Sequence, residues 1–298
     1  MGGTFFVDVA EGRRLAIDET GDPSGIPILF CHGWPASRLQ GSGFGVEARA
    51  LGARILAPDR PGIGLSSPQP HRQLLDWPPI VERTVDQLGI DRFRILAISG
   101  GAPYALATAF ALPTRVEAVA VVSGAPPLAQ EVDKRALLAV YRWLLAAYRM
   151  KPALVRSLFR TVRPVATIRP PVWAWPFLLR FVPAADRAAL RDPAIFEGSF
   201  GVYREAWRGD AQGVVSDAEV HAHDWGFRPE DVTVPVRLWH GKADRSFSWL
   251  LAEALAQRLP SCQTHFIENE GHYSLPIRHR MAILRDLVES GTRAESKK

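Results

Sequence analysis

Short apolar segments alternate along the chain with helical patterns, and this alternation limits the choice of fold more than any other feature. The apolar segments are rich in β-branched residues or leucine and lack polar alternation, which is typical of strands covered on both faces. They comprise residues 28–33, 53–59, 93–99, 116–124, 234–241 and 262–268. Helical patterns occur at residues 79–88, 102–112, 249–259 and 276–290. Such alternation predicts an α/β fold with a mostly parallel sheet flanked by helices.

Two departures from this alternation define the predicted architecture. Residues 5–21 contain two short strand patterns around Gly12, which predict an antiparallel hairpin at the edge of the sheet. From about residue 126 to 225 the chain is helical and aromatic, and the strand pattern resumes at Val234. We therefore predict a core formed by residues 1–125 and 226–298, with residues 126–225 inserted as a helical cap.

The composition argues against several classes of protein. The 36 basic and 31 acidic residues give a net charge of +5, and without a recognition motif this excess does not predict a nucleic-acid partner. Cys31 and Cys262 are the two cysteines, too few for a disulfide framework and typical of a reducing compartment. We see no signal peptide and no apolar stretch of about 18 residues. We therefore expect a cytoplasmic protein without a membrane span.

Ser99 lies at the junction between a predicted strand and the helix that follows it, in the sequence LAISGGAPYALA. Ala97 and Gly101 flank it at two positions before and two after, where larger residues would collide in a sharp turn. Such an elbow exposes the serine oxygen, and the positive end of the next helix favours developing negative charge. The pattern predicts a nucleophile, although a serine in this position can also be a simple helix N-cap.

A serine nucleophile needs a base, and the base needs a carboxylate that orients it. His272 follows the last predicted strand, and Asp244 follows the strand before it. Both lie, like Ser99, at the carboxyl end of a strand, where open α/β sheets form their sites. We expect Asp217 and Asp224, in or beside the cap, to cap helices or pair with arginines instead.

The segment CHGWPASR follows another predicted strand, and a loop there could bring the Trp34 backbone amide beside that of Gly100. Two such donors bind the oxyanion of a tetrahedral intermediate, each contributing roughly 3–4 kcal/mol. His32 precedes the turn, and we interpret it as structural. The chain has no zinc-binding His or Cys spacing, phosphate loop or dinucleotide fingerprint, so we expect neither a metal nor a cofactor.

Together these motifs resemble those of the α/β-hydrolase superfamily, in the branch with a helical cap that includes epoxide hydrolases and haloperoxidases. The matching segments are His32 to Pro35, Asp59 to Ser66, the elbow around Ser99, His240 to Asp244, and Gly271 to Ser274. The chain order of serine, aspartate and histidine is also that of the superfamily. Epoxide hydrolases and haloalkane dehalogenases share these motifs but have an aspartate at the nucleophile position. Because this chain has Ser99 there, the resemblance argues against both activities.

The predicted cap contains aromatic residues that have two interpretations. Trp173 and Trp175 either line an apolar substrate pocket with Trp34 and Tyr141, or only pack the cap onto the core.

The cap is also rich in positive charge. Residues 134–169 include nine basic residues and no acidic residue, and Arg135, Arg142 and Arg149 recur every seven positions on one helix face. This face is either a solvated surface over an apolar stripe, or a cationic rim for an acidic substrate, an acidic carrier protein or an anionic membrane surface.

The sequence therefore predicts a serine hydrolase that cleaves a carboxyl ester, thioester or lactone of an apolar small molecule. Ser99 would attack, His272 would move the proton, and Asp244 would orient the imidazole. The same three residues would also serve carbon–carbon bond hydrolysis, acyl transfer or cyclisation. The alternative from another class is a ligand receptor on a hydrolase scaffold.

Overall fold

The computed structural model describes residues 3–129, 136–180, 182–209 and 211–295, with side chains described up to residue 290. Its strands are β1 Thr4–Ala10, β2 Arg13–Gly21, β3 Ile26–Cys31, β4 Ala53–Pro58, β5 Phe93–Ile98, β6 Val116–Val122, β7 Val236–Gly241 and β8 Cys262–Ile267. Its α-helices are α1 Gly45–Ala50, α2 Trp77–Gln87, α3 Ala102–Ala111, α4 Ala139–Met150, α5 Pro152–Ala166, α6 Trp175–Leu179, α7 Ala184–Leu190, α8 Pro193–Ala206, α9 Gln212–Ala222, α10 Trp249–Arg258, α11 Ser274–Arg278 and α12 Arg280–Glu295.

The strands form one sheet in the order β1-β2-β4-β3-β5-β6-β7-β8. β1 pairs antiparallel with β2, and β2 pairs antiparallel with β4, whereas the other neighbours are parallel. The predicted α/β fold with a mostly parallel sheet is therefore confirmed, and so is the antiparallel hairpin at its edge.

Helices cover both faces of this sheet, because alternate residues of the central strands are apolar on both sides. In β5, Ile95 and Ala97 belong to the apolar cluster that also contains residues of α2, α3 and α10. Leu96 and Ile98 of β5 belong to a second cluster with residues of α1 and α12. All six residues of β5 are buried, which explains why its sequence shows no polar alternation.

Among the described residues, the helices α4 to α9 lie between β6 and β7, within the segment for which the sequence predicts a cap. We call residues 136–225 the helical insertion, with positions 181 and 210 outside the described part. We call the rest of the described chain the sheet domain. Ion pairs join the insertion to it, since the largely buried Glu205 of α8 binds Arg38 at 2.7 Å and the buried Asp217 of α9 binds Arg60 at 2.6 Å. The insertion is thus fixed over the end of the sheet at which the parallel strands finish.

Candidate active site

Ser99 lies in a sharp turn between β5 and α3. Its φ of 51° is in the left-handed region, where a non-glycine residue is strained and is held by its surroundings. A Cβ atom on Gly101 would overlap the carbonyl oxygen of Cys31, and one on Gly100 would lie 2.8 Å from the Cβ of Trp34. The small residues after Ser99 therefore let this turn press against the end of β3.

The structure brings together the three side chains that the sequence motifs single out. The Nε2 of His272 lies 2.9 Å from the Oγ of Ser99, and its Nδ1 lies 2.8 Å from the Oδ2 of Asp244. All three residues are buried. Each distance lies in the hydrogen-bond range, so a proton on Ser99 can pass to an imidazole that a carboxylate orients.

The carboxylate of Asp244 is itself held in place by its own loop. Its Oδ1 accepts hydrogen bonds from the backbone amides of Ser246 and Phe247, at 2.7 and 3.1 Å. His240 Nε2 lies 3.3 Å from its Oδ2. These partners fix the second carboxylate oxygen for His272.

The charges at the site stabilise an ionised pair. Burial raises the pKa of Asp244, but attraction to His272 and hydrogen bonds from His240 and His272 outweigh it and hold that pKa well below its ordinary value. Burial likewise lowers the pKa of His272, whereas the charge and hydrogen bond of Asp244, with a further contribution from Asp186, raise it above its ordinary value overall. An imidazolium formed during a reaction would thus be stabilised here.

Asp186 of α7 is a site residue that the sequence reasoning missed. Its carboxylate accepts hydrogen bonds from the backbone amides of His272, Tyr273 and Ser274, at 3.1, 2.9 and 2.8 Å. The side chain is buried, and it comes from the helical insertion, far from these residues in sequence. It therefore holds the loop that carries the imidazole.

The backbone of Trp34, whose amide is one of the two proposed for an oxyanion site, lies against Gly100. The backbone nitrogen of Trp34 is 3.0 Å from the position that a Cβ of Gly100 would occupy. In the described part of the chain, the Trp34 amide has no hydrogen-bond partner. It thus remains available to a ligand oxygen beside Ser99.

A pocket of about 620 Å³, including its open mouth, adjoins Ser99. Its walls are mainly apolar and come from the core and from α4, α5 and α9 of the insertion. Its lining residues are Trp34, Ser99, Gly100, Ala125, Leu128, Tyr141, Leu144, Leu145, Tyr148, Val155, Phe159, Ala218, His221, Ala222 and Phe247. An apolar cavity with a few polar groups at one end is typical of small-molecule sites.

Two of the four residues predicted to line this pocket do so, and two do not. Trp34 and Tyr141 are in its walls. Trp173 is 82% exposed, because it lies in the turn before α6 on the outside of the insertion. Trp175 is buried, but its ring stacks on Phe196 at 4.1 Å and its indole nitrogen donates to the Pro170 carbonyl. The prediction that these two tryptophans line the pocket was wrong, since Trp173 faces solvent and Trp175 packs within the insertion.

A buried charge network lies behind the pocket. Asp217 of α9 pairs with Arg60 and Arg72 and accepts a hydrogen bond from Tyr104 at 2.8 Å. Arg60 also donates to the carbonyl oxygens of residues 32 and 33. Asp217 therefore pairs with arginines, one of the two roles expected for it from the sequence, and it stabilises the loop that carries Trp34.

His221 of α9 is a second pocket residue that the sequence did not indicate. Burial lowers its pKa, attraction to Asp217 raises it, and the charges of Arg60 and Arg72 lower it again, so that the pKa is about 4. Its imidazole is therefore neutral near pH 7. Its Nε2 is buried without a hydrogen-bond partner among the described residues, and it faces Gly100.

The described residues contain no group of three or more His, Cys, Asp or Glu side chains placed to hold a metal ion. None of their helices has the length and apolar character needed to cross a membrane.

A family model described as alpha/beta hydrolase fold matches residues 26–277. The chain belongs to this family. A proline iminopeptidase from Neisseria gonorrhoeae is 29% identical over 119 residues, which is 38% of this chain and 37% of the relative. The chain thus matches little more than a third of that relative's length.

Solved structures with low sequence identity share the same fold. An esterase from Thermogutta terrifontis, with malate bound, is 19% identical and superposes with a TM-score of 0.69 over 97% of this chain and 99% of the esterase. An enol-lactonase from Burkholderia xenovorans LB400 is 18% identical, with a TM-score of 0.70 over 97% of this chain and all of the lactonase.

Proposed function

We propose that the protein is a serine hydrolase that cleaves a carboxyl ester, thioester or lactone of an apolar small molecule. The observation that carries the proposal is the hydrogen-bonded series from Ser99 through His272 to Asp244, with Ser99 opening into an apolar pocket. Two fold neighbours that are named an esterase and an enol-lactonase are consistent with this class of substrate.

The proposed reaction uses each of these groups in turn. His272 Nε2 takes the proton of Ser99 as its oxygen attacks the carbonyl carbon, and Asp244 stabilises the imidazolium that results. The amides of Trp34 and Gly100 bind the oxyanion. His272 then gives the proton to the leaving alcohol, thiol or lactone oxygen, and an acyl group remains on Ser99. A water molecule, deprotonated by His272, then attacks this acyl-enzyme. His272 returns the proton to the Ser99 oxygen as the carboxylic acid leaves.

The apolar pocket supports the proposed class of substrate. Aliphatic and aromatic side chains such as Leu145, Val155 and Phe159 form most of its walls, so the acyl or alcohol group next to the carbonyl is apolar. His221, neutral near pH 7, leaves the pocket without a cation opposite the substrate. A charged substrate would therefore lose its hydration without a compensating partner.

The test of this function is the loss of covalent labelling and turnover in Ser99→Ala. We expect wild type to react with a fluorophosphonate probe and to hydrolyse p-nitrophenyl esters, with a preference for apolar acyl chains. The Ser99→Ala variant loses both activities because no oxygen remains to form the acyl-enzyme. Labelling of Ser99→Ala would place the nucleophile elsewhere, and tight binding of such esters by wild type without turnover would favour a receptor.

Ser123→Ala is the matched control. Ser123 also follows a strand, is buried, and has a left-handed φ of 48°, but it does not line the pocket. We expect this variant to keep the labelling and the esterase activity of wild type. Equal losses in both variants would mean that the effect of Ser99→Ala arises from disturbed backbone geometry.

A further inference from the structure

The outer surface of α4 and α5 is strongly apolar although it faces solvent. Among the described residues, thirteen of the seventeen exposed large hydrophobic side chains lie between residues 138 and 178. They include Trp143 on α4, 56% exposed, Leu154 on α5, 62% exposed, and Trp173 beyond α5. Such a concentration of exposed apolar side chains marks an interaction surface, because soluble monomers rarely present one.

Each of these two helices carries apolar side chains on two opposite faces, one towards the pocket and one towards solvent. Tyr141 and Leu145 of α4 and Phe159 of α5 line the pocket, whereas Trp143 and Leu154 are exposed and outside its walls. A helix that only covers a core needs one apolar stripe, with polar residues opposite it. The second apolar side therefore requires a partner outside the sheet domain.

Basic residues accompany this apolar surface. Residues 136–169 contain seven basic residues and no acidic residue. Within the described ranges, Arg156 pairs with Glu219 and Arg169 pairs with Glu197. The other five have no acidic partner among those residues: Arg142, Arg149, Lys151, Arg160 and Arg163. Arg135, which the sequence places on the same helix face as Arg142 and Arg149, lies outside the described residues.

We propose that the outer surface of α4 and α5 docks on an anionic lipid surface. Apolar side chains of an interfacial helix enter the boundary between headgroups and acyl chains, and tryptophan is enriched at that level. Arginine and lysine beside them bind anionic headgroups. The combination of Trp143 and Leu154 with Arg142 and Arg149 has this chemistry.

A second copy of the chain is a poorer occupant of the same surface. In a two-fold symmetric dimer each patch meets itself, so the unneutralised cations of one copy would oppose those of the other. Like charges placed against each other in this way disfavour association. Charge complementarity therefore favours an anionic surface.

The link from docking to substrate rests on the proposed function. The inner sides of α4 and α5 form walls of the pocket beside Ser99, so docking of their outer sides places that pocket next to the lipid. An ester or thioester with an acyl chain, supplied from the membrane, then suits the apolar walls. Vesicle binding itself does not require Ser99, so the two proposals can fail separately.

Sedimentation with vesicles tests the docking proposal. Ser99→Ala protein is mixed with phosphatidylcholine vesicles, with and without phosphatidylglycerol, at low and high salt. We expect it to bind the vesicles that contain phosphatidylglycerol and to be released by salt, because salt screens the attraction of basic side chains to headgroups. Failure to bind anionic vesicles at low salt would overturn the proposal and leave the proposed function untouched.

Three variants separate the apolar and basic contributions. Arg142→Gln and Arg149→Gln each weaken binding to anionic vesicles about fivefold, and Trp143→Ser weakens it further by removing an inserted ring. Val46→Ser, which replaces an exposed apolar residue on α1, is the matched control and binds like wild type. In the active enzyme, all four variants hydrolyse a small soluble ester at the wild-type rate, because none of the four residues lines the pocket.

Other occupants of the surface give different results. If Trp143→Ser abolished a concentration-dependent dimer seen by analytical ultracentrifugation, the surface would be a contact between copies. If an acidic acyl carrier protein bound the surface and neither arginine variant changed vesicle binding, the partner would be a protein. Either result would overturn the lipid proposal.

Discussion

The pKa of His272 links the buried charges of the site to catalysis. Burial lowers this pKa, but Asp244 and, to a smaller extent, Asp186 raise it above its ordinary value. In the proposed mechanism His272 is the general base, and a general base works in its neutral form. Activity therefore falls as the pH drops through the raised pKa of His272, and the acid limb of the pH profile reports that value.

Asp244→Asn is expected to lower both turnover and the pKa of His272. The amide favours the wrong imidazole tautomer, and an analogous substitution in a serine protease lowers turnover about 10⁴-fold. The substitution also removes the charge that raises the pKa of His272. We therefore expect NMR titration to place the protonation of His272 at a lower pH than in wild type, with an unchanged fold.

Asp224→Asn provides the control for this substitution. The carboxylate of Asp224 accepts a hydrogen bond from the backbone amide of Gly226 in an exposed loop, and it makes no contact with His272. We expect wild-type turnover and an unshifted titration. If the pKa of His272 were the same in Asp244→Asn as in wild type, Asp244 would not control the charge of His272.

Site residues that need a particular local sequence around them could be found from the sequence. Ser99 needs small neighbours, and Asp244 and His272 follow strands, so each carries a local pattern. Asp186 and His221 carry none. Both come from the helical insertion and reach the site through tertiary contacts, Asp186 through backbone amides that any sequence would provide.

At the scale of elements, the turn between β5 and α3 depends on the absence of a side chain at Gly101. A Cβ there would overlap the Cys31 carbonyl and lie 2.9 Å from that of His32. We expect Gly101→Ala to destabilise the protein by about 1–3 kcal/mol, as overpacking does, and to impair labelling of Ser99 because the turn must move.

Chemical denaturation with urea measures this effect, and Gly198→Ala is its control. Gly198 lies inside α8, is exposed, and has nothing within 4 Å of an added Cβ. Alanine is the better helix former, so we expect this control to gain about 0.4–1 kcal/mol. A Gly101→Ala protein as stable and as reactive as wild type would contradict the close approach to β3.

Both the strands and most of the helices outside the insertion could be predicted closely. The predicted helices 79–88, 102–112 and 249–259 agree with α2, α3 and α10 within about two residues at each end. The six predicted strands agree with β3 to β8 within about two residues at each end, because their apolar runs are short and bounded by turns. The predicted cover on both faces does not hold for β8, which contains no buried residue. The predicted helix 276–290 is divided between α11 and α12, and the pocket role of Trp173 and Trp175 was wrong. An apolar helix face does not reveal whether it meets a core, a cavity or solvent, because the same periodicity serves all three.

At the scale of the whole molecule, the helical insertion and the sheet domain depend on each other through Asp217. This carboxylate from α9 is fully buried between Arg60 and Arg72 of the sheet domain. Burial raises its pKa, but the two arginines outweigh it and hold the pKa well below its ordinary value, so the carboxylate is charged at neutral pH. Asp217 is therefore the shared counter-charge of Arg60 and Arg72.

We expect Asp217→Asn to destabilise the protein by about 3–5 kcal/mol, because it leaves two buried guanidinium groups without a counter-charge. The urea midpoint measured at pH 7 should fall accordingly, and the loop with Trp34 should become accessible to proteolysis, since Arg60 also holds its carbonyls. Asp231→Asn is the control: its pair with Arg228 is exposed, and we expect no measurable change. If Asp217→Asn and Asp231→Asn unfolded at the same urea concentration as wild type, the buried network would not be what joins the insertion to the sheet domain.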